Sequence, residues 1–127
     1  MARLLIADDE QPVRDVLMRA LSLDGHEVRT APDGAAALEA LSSEGPFDLL
    51  LTDIRMPIMD GIALALTAAR DYPQLVIVLM TGYAGERERA HGLDRLVHEV
   101  VLKPFSIAVM KQTVAKALAT HQPALAG

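Results

Sequence analysis

The chain contains no cysteine and no tryptophan. Without cysteine there can be no disulfide and no thiolate metal site. Aromatic residues are scarce, with two tyrosines and two phenylalanines. A core must therefore be built from Leu, Val, Ile, Ala and Met. No apolar run approaches the ~20 residues needed to cross a bilayer. The N-terminus enters an apolar run within three residues and shows no signal-peptide pattern. Lys and Arg are scattered and the net charge is −5, so there is no basic stripe for nucleic acid. These absences lead us to expect a cytoplasmic protein with no membrane insertion and no direct contact with nucleic acid.

What is present is a chain of 127 residues, half of them apolar. That is enough for one domain with a true core, and too little for two. Short β-type runs alternate with helical patterns. Strands are expected at Arg3–Ala7 (β1), His26–Thr30 (β2), Asp48–Thr52 (β3), Leu75–Met80 (β4) and His98–Leu102 (β5). The third and fourth are continuous apolar runs, as in strands buried on both faces. The second alternates like a half-covered edge strand.

Helical faces follow each strand. Pro12 suits a first turn, and Val13, Val16, Leu17, Ala20 and Leu21 share one face (α1), with Gly25 placed to end it. Asp33 can cap α2, which carries Ala37, Leu38 and Leu41, and Gly61 opens α3. Gly85–Arg95 (α4) is poorly amphipathic, and its "ERER" segment suggests a solvated face with paired charges. Ser106 can cap α5, with Phe105 and Met110 spaced as a hydrophobic staple. Five βα units imply a parallel α/β sheet covered on both sides.

Ligands of such sheets bind beyond the carboxyl ends of the strands. Asp8 and Asp9 follow β1, Asp53 ends the run "LLTD", Thr81 follows β4 and Lys103 follows β5. If β1 and β3 are neighbours, three carboxylates converge. At ~4 Å each pair repels by about 1–4 kcal/mol, depending on the effective dielectric. A hard cation relieves that repulsion, and oxygen donors without sulfur suit Mg²⁺. A carboxylate beside such an ion can attack phosphorus and form an aspartyl phosphate. A hydroxyl (Thr81) and an ammonium (Lys103) could hold the phosphoryl oxygens. Read one at a time, the same residues have plainer roles: Asp8-Asp9-Glu10 as a helix-start cluster, Asp53 and Thr81 as turn residues, and Lys103 as a solvated lysine.

Taken in order, "ADDE", "TDIRMPIMDG", "MTGY" and "LKPF" resemble the receiver domain of bacterial two-component response regulators, of the stand-alone type. The resemblance covers about residues 3–120. It implies a flavodoxin-like, doubly wound (βα)5 fold with strand order 2-1-3-4-5. The domain would span 1–120, followed by a short tail at 121–127. Asp53 would be the phosphoacceptor. Asp9, Asp53 and the Arg55 backbone carbonyl would ligate Mg²⁺ directly, with Asp8 acting mostly through water. Thr81 would move toward the phosphoryl group, Lys103 would pair with it, and Lys103–Pro104 would be a cis peptide.

The resemblance also implies partners. A histidine kinase or phosphotransfer protein would donate the phosphoryl group, and a downstream protein would dock on the α4-β5-α5 face. The chain would be no enzyme beyond catalysing its own phosphorylation and dephosphorylation. One departure concerns the switch. Where the family often carries an inward-turning aromatic, three residues before the lysine, this chain has Val100. We expect the switch to run instead through Thr81, Gly82 and Tyr83. The "TGY" pattern resembles a subgroup of stand-alone receivers, and the wider segment resembles receivers that act as protease adaptors. Two alternatives stay open. One is an interaction module that is never phosphorylated. The other is a metal-dependent phosphatase with an aspartate nucleophile, but such enzymes carry a second aspartate where Arg55 stands.

Overall fold

The computed structural model describes residues 2–93 and 95–120; the tail at 121–127 lies outside the described residues. The observed elements are β1 (Arg3–Ala7), α1 (Gln11–Leu23), β2 (Glu27–Ala31), α2 (Gly34–Glu44), β3 (Leu49–Asp53), α3 (Gly61–Asp71), β4 (Val76–Thr81), α4 (Ala84–Arg89), β5 (Glu99–Leu102) and α5 (Ile107–Thr120). The strands form one parallel sheet in the order β2-β1-β3-β4-β5. This is the expected flavodoxin-like order, with β2, β3 and β4 each displaced by a residue from the sequence reading and β5 starting one residue later.

Strand periodicity divides the core. Leu5, Ala7, Leu50, Ile77 and Leu79 face one way, against Ala37, Leu41, Leu64 and Ala68 of α2 and α3. Leu4, Ile6, Leu49, Leu51, Val78 and Met80 face the other way, against Leu17 and Leu21 of α1 and Met110, Val114 and Ala117 of α5. Alternation along a strand sends successive side chains to opposite faces, so a doubly covered strand must be apolar throughout. Every residue of β3 and β4 is buried. Each fully buried Leu there contributes about 1.5–3 kcal/mol relative to exposure.

The caps follow the sequence. Asp33 accepts from Ala36 N–H at 2.8 Å, Asp60 from Ala63 N–H at 2.9 Å, and Ser106 from Val109 N–H at 3.0 Å. Phe105 and Met110 both pack on the α1–α5 side of the core, as a staple requires. Gly25, just past α1, takes the left-handed conformation at φ +91° that ends a helix cheaply only at glycine.

Helix α4 departs from expectation. It runs only over Ala84–Arg89 and tightens into a 3₁₀ turn over Ala90–Leu93. Gly92 lowers helix propensity there, while Ala90 and Val97 are buried and draw the segment onto the core. The "ERER" face is also not wholly solvated, because Glu86 is 8% exposed.

Candidate functional site

The register builds the site. Ala7 pairs with Thr52 across the β1–β3 ladder. The next residues, Asp8 and Asp53, therefore stand side by side at the carboxyl edge of the sheet. Asp53 pairs with Met80 and Thr81 with Leu102, so Thr81 and Lys103 reach the same edge from the other side.

Asp8, Asp9 and Asp53 each offer a carboxylate oxygen within 4.8 Å of the others. Asp8 is fully buried and Asp53 is 7% exposed, whereas Asp9 is open to solvent. Both Asp8 oxygens have donors: Glu10 N–H at 2.9 Å and Lys103 Nζ at 2.9 Å. Arg14 donates to the Asp8 backbone carbonyl at 2.7 Å, a contact the sequence reading missed. Lys103 Nζ also lies 3.5 Å from Asp53 Oδ1. Three clustered carboxylates with no sulfur are the donor set of a hard divalent cation, so the cluster is able to hold one.

Burial pushes the Asp53 carboxyl up to about 6; Lys103 opposes this and the charges of Asp8 and Asp9 add to it. Burial would lower Lys103. The hydrogen bond to Asp8 and the charges of Asp53 and Asp8 outweigh it and hold the ammonium above its ordinary value. Thr81 is fully buried. Its hydroxyl accepts from Tyr83 N–H at 3.1 Å, and its backbone carbonyl accepts from Lys103 N–H at 2.7 Å. Lys103–Pro104 is cis, as expected, and Gly45–Pro46 is cis as well.

Gly61 closes the loop after β3. Its N–H donates to the Ile54 carbonyl at 2.8 Å, and a side chain on it would collide with the backbone carbonyl of Asp53. Met56 and Met59 pack against the core beneath that loop.

Not all predicted residues converge. Val100 is half-buried in β5, opposite Leu79, and packs into the core. Tyr83 is 52% exposed, and its ring lies 3.9 Å from the Arg55 guanidinium carbon. Gly82 and Pro104 line an apolar groove of about 710 Å³ with Val13, Val16, Phe105 and Ile107. The groove opens beside Lys103. On the opposite flank, Arg55 Nε approaches Glu86 at 3.7 Å, and Arg89 joins Glu86 at 2.7 Å and Asp60 at 3.2 Å. The paired charges expected in "ERER" appear as the Glu86–Arg89 contact, but no motif pointed to the links from Glu86 to Arg55 or from Arg89 to Asp60. Glu86 stands three residues after Tyr83, in the first turn of α4.

Among the described residues no helix is long and apolar enough to cross a membrane. The response regulator receiver domain model matches residues 4–115. The response regulator receiver protein CpdR of Brucella abortus is 39% identical over 118 residues, covering 93% of this chain and 98% of that protein. The response regulator MprA of Mycobacterium ulcerans is 36% identical over 105 residues, 83% of this chain but 45% of that longer relative. Among solved structures, the response regulator TrrA of Thermotoga maritima, in complex with Mg²⁺ and BeF, superposes with TM-score 0.83 at 32% identity. That match covers 93% of this chain and all of the other. A CheY-like receiver domain protein of Methanospirillum hungatei gives TM-score 0.89 at 25% identity, covering 96% and 97%. By family match, relatives and fold, the chain belongs to the response regulator receiver domains, which work in phosphorylation-dependent signalling.

Proposed function

We propose that Asp53 is the phosphoacceptor of a two-component or phosphorelay switch contained in residues 1–120. The observation that carries this reading is the burial of the Asp53 carboxyl between the Asp8–Asp9 pair and the Lys103 ammonium. Asp9, Asp53 and the Arg55 carbonyl would hold Mg²⁺ directly and Asp8 through water; the ion would neutralise charge on the phosphoryl oxygens.

The phosphoryl group would come from a phosphohistidine on a kinase or phosphotransfer protein. An Asp53 oxygen forms the new O–P bond as the N–P bond breaks, and the donor imidazole keeps the electron pair and takes up a proton. Lys103 would then pair with a phosphoryl oxygen, and the Thr81 hydroxyl would turn toward another. The chain thus catalyses only its own phosphorylation and hydrolysis.

Output runs through protein binding. Leu96, Leu102, Val109 and Tyr83 are large apolar side chains exposed on or beside α4, β5 and α5. They support the α4-β5-α5 face as the docking surface for a downstream partner. Occupation of Asp53 would shift a pre-existing equilibrium of the segment Thr81–Tyr83.

The test is intact-protein mass after incubation with a small acyl phosphate, with and without Mg²⁺. One added phosphoryl group that needs both Mg²⁺ and Asp53 is the expected result. Folded wild-type protein that neither gains the adduct nor binds Mg²⁺ would replace this reading with an interaction module that is never phosphorylated.

A further inference from the structure

We infer that Glu86 is a positioning residue: with Arg55 and Tyr83 it forms a latch that holds α4 to the loop after β3 while Asp53 is unmodified, and so weakens phosphorylation of Asp53. The inference rests on Asp53 being the phosphoacceptor, and goes beyond it by naming what opposes the switch.

The chain of contacts is continuous. The Thr81 hydroxyl accepts from Tyr83 N–H. The Tyr83 ring lies against the Arg55 guanidinium. Arg55 pairs with Glu86, and Arg89 binds both Glu86 oxygens, at 2.7 and 3.0 Å. Arg89 then reaches Asp60 Oδ2 at 3.2 Å, and Asp60 caps α3. Arg55 and Asp60 stand near the two ends of the loop between β3 and α3, so the network ties α4 to both ends.

The network borders an opening between these segments. A cavity of about 630 Å³ opens there, lined by Asp9, Ile54, Arg55, Pro57, Glu86 and Arg89. Ion pairs therefore span a gap that apolar packing does not fill. Glu86 is almost wholly buried while Arg55 and Arg89 are half-exposed, so these pairs are screened less than fully exposed ones. An Arg cation on an aromatic face adds a further attraction.

Each link supports the next only while the Thr81 hydroxyl serves Tyr83. If that hydroxyl turns to a phosphoryl oxygen, Tyr83 N–H loses its acceptor and the ring loses its fixed seat on Arg55. A network that stabilises the unmodified state alone must lower affinity for any ligand that selects the other state. Loosening it must raise that affinity.

The experiment measures the apparent affinity for fluoroberyllate with Mg²⁺ in wild type, Glu86→Gln, Arg55→Gln and the double variant. Amide hydrogen exchange of residues 84–93 accompanies it. Arg55→Gln keeps the backbone carbonyl and changes a largely exposed side chain, so it carries the test if Glu86→Gln fails to fold. Either single change is expected to tighten fluoroberyllate binding about 5- to 30-fold. It should also speed exchange in α4 before ligand is added. The double variant should gain less than the sum of the two single variants, because both cut the shared Arg55–Glu86 link. A merely structural role would weaken both states together and leave the affinity unchanged. Wild-type binding with unchanged or weaker binding in the variants, or with fully additive gains, would overturn the latch alone. Wild-type protein that binds no fluoroberyllate would overturn the phosphoacceptor reading and the latch with it.

Discussion

The Lys103 ammonium donates to Asp8 at 2.9 Å and lies farther, at 3.5 Å, from Asp53. In the unmodified protein its main partner is thus the fully buried carboxylate. Breaking a buried pair by removing one member leaves an uncompensated charge, at a cost of about 3–5 kcal/mol. Lys103→Met should lose stability on that order in urea unfolding without divalent cations. Mg²⁺ should restore more stability to the variant than it adds to wild type, since the cation supplies the missing positive charge. Equal Mg²⁺ effects on the two proteins would refute a shared role for Lys103 and the ion.

Asp53 links the site to pH. Burial, opposed by Lys103 and aided by Asp8 and Asp9, raises its carboxyl from 3.8 to about 6. Between about pH 4 and 6 the folded protein therefore holds a proton that the unfolded chain has already released. Stability falls as pH rises from about 4 to 6, and the cost is fully present above the folded value. Asp53→Asn removes it. Without Mg²⁺ the variant should be about 1–3 kcal/mol more stable than wild type at pH 7, and the gap should close below pH ~4. A gap independent of pH would show that the carboxyl is not the source.

The apolar groove lined by Val13, Val16, Phe105 and Ile107 borders Lys103 and would give a phosphodonor protein an approach to Asp53. Val16 is half-exposed there. Val16→Asp should slow transfer from a phosphohistidine protein by about tenfold, the effect of ~1.4 kcal/mol. Phosphorylation by a small acyl phosphate should be unaffected, because that donor needs no docking surface. Equal slowing with both donors would place the defect in the site itself.

Ile58 sits in the loop after β3 at φ +70° and is 82% exposed. A β-branched residue in the left-handed region is strained by roughly 1–2 kcal/mol, and its side chain gains little from packing. Ile58→Asn should raise thermal stability by about 0.5–1 kcal/mol, since Asn tolerates this conformation. A lower melting temperature would mean that Ile58 makes a stabilising contact despite its exposure.

Much of the fold was legible because burial on both faces leaves a plain trace. β3 and β4 read as continuous apolar runs, and both are buried throughout. The caps at Asp33 and Ser106 were legible because capping is local, set by a side chain and an amide three residues on. Glu86 was misread for the converse reason. The residues that follow it, Arg87, Glu88 and Arg89, are charged and exposed, while its partner Arg55 lies in the loop after β3, some thirty residues earlier. The stacking of Tyr83 on Arg55 was invisible for the same reason.

The sequence by itself determined the five βα units and the identity of the polar residues at the strand ends, since periodicity and strand termini are properties of short segments. Even there, the neighbour relation of β1 and β3 came only from family resemblance. The tertiary structure decided that Asp8 and Asp53 lie side by side, that Lys103 favours Asp8, and that α4 is bound to the loop after β3 by ion pairs. Those outcomes depend on register between strands and on the distance between charges far apart in the chain. Local patterning specifies neither, because the energy of a charge is set by whatever the fold brings within a few ångströms of it.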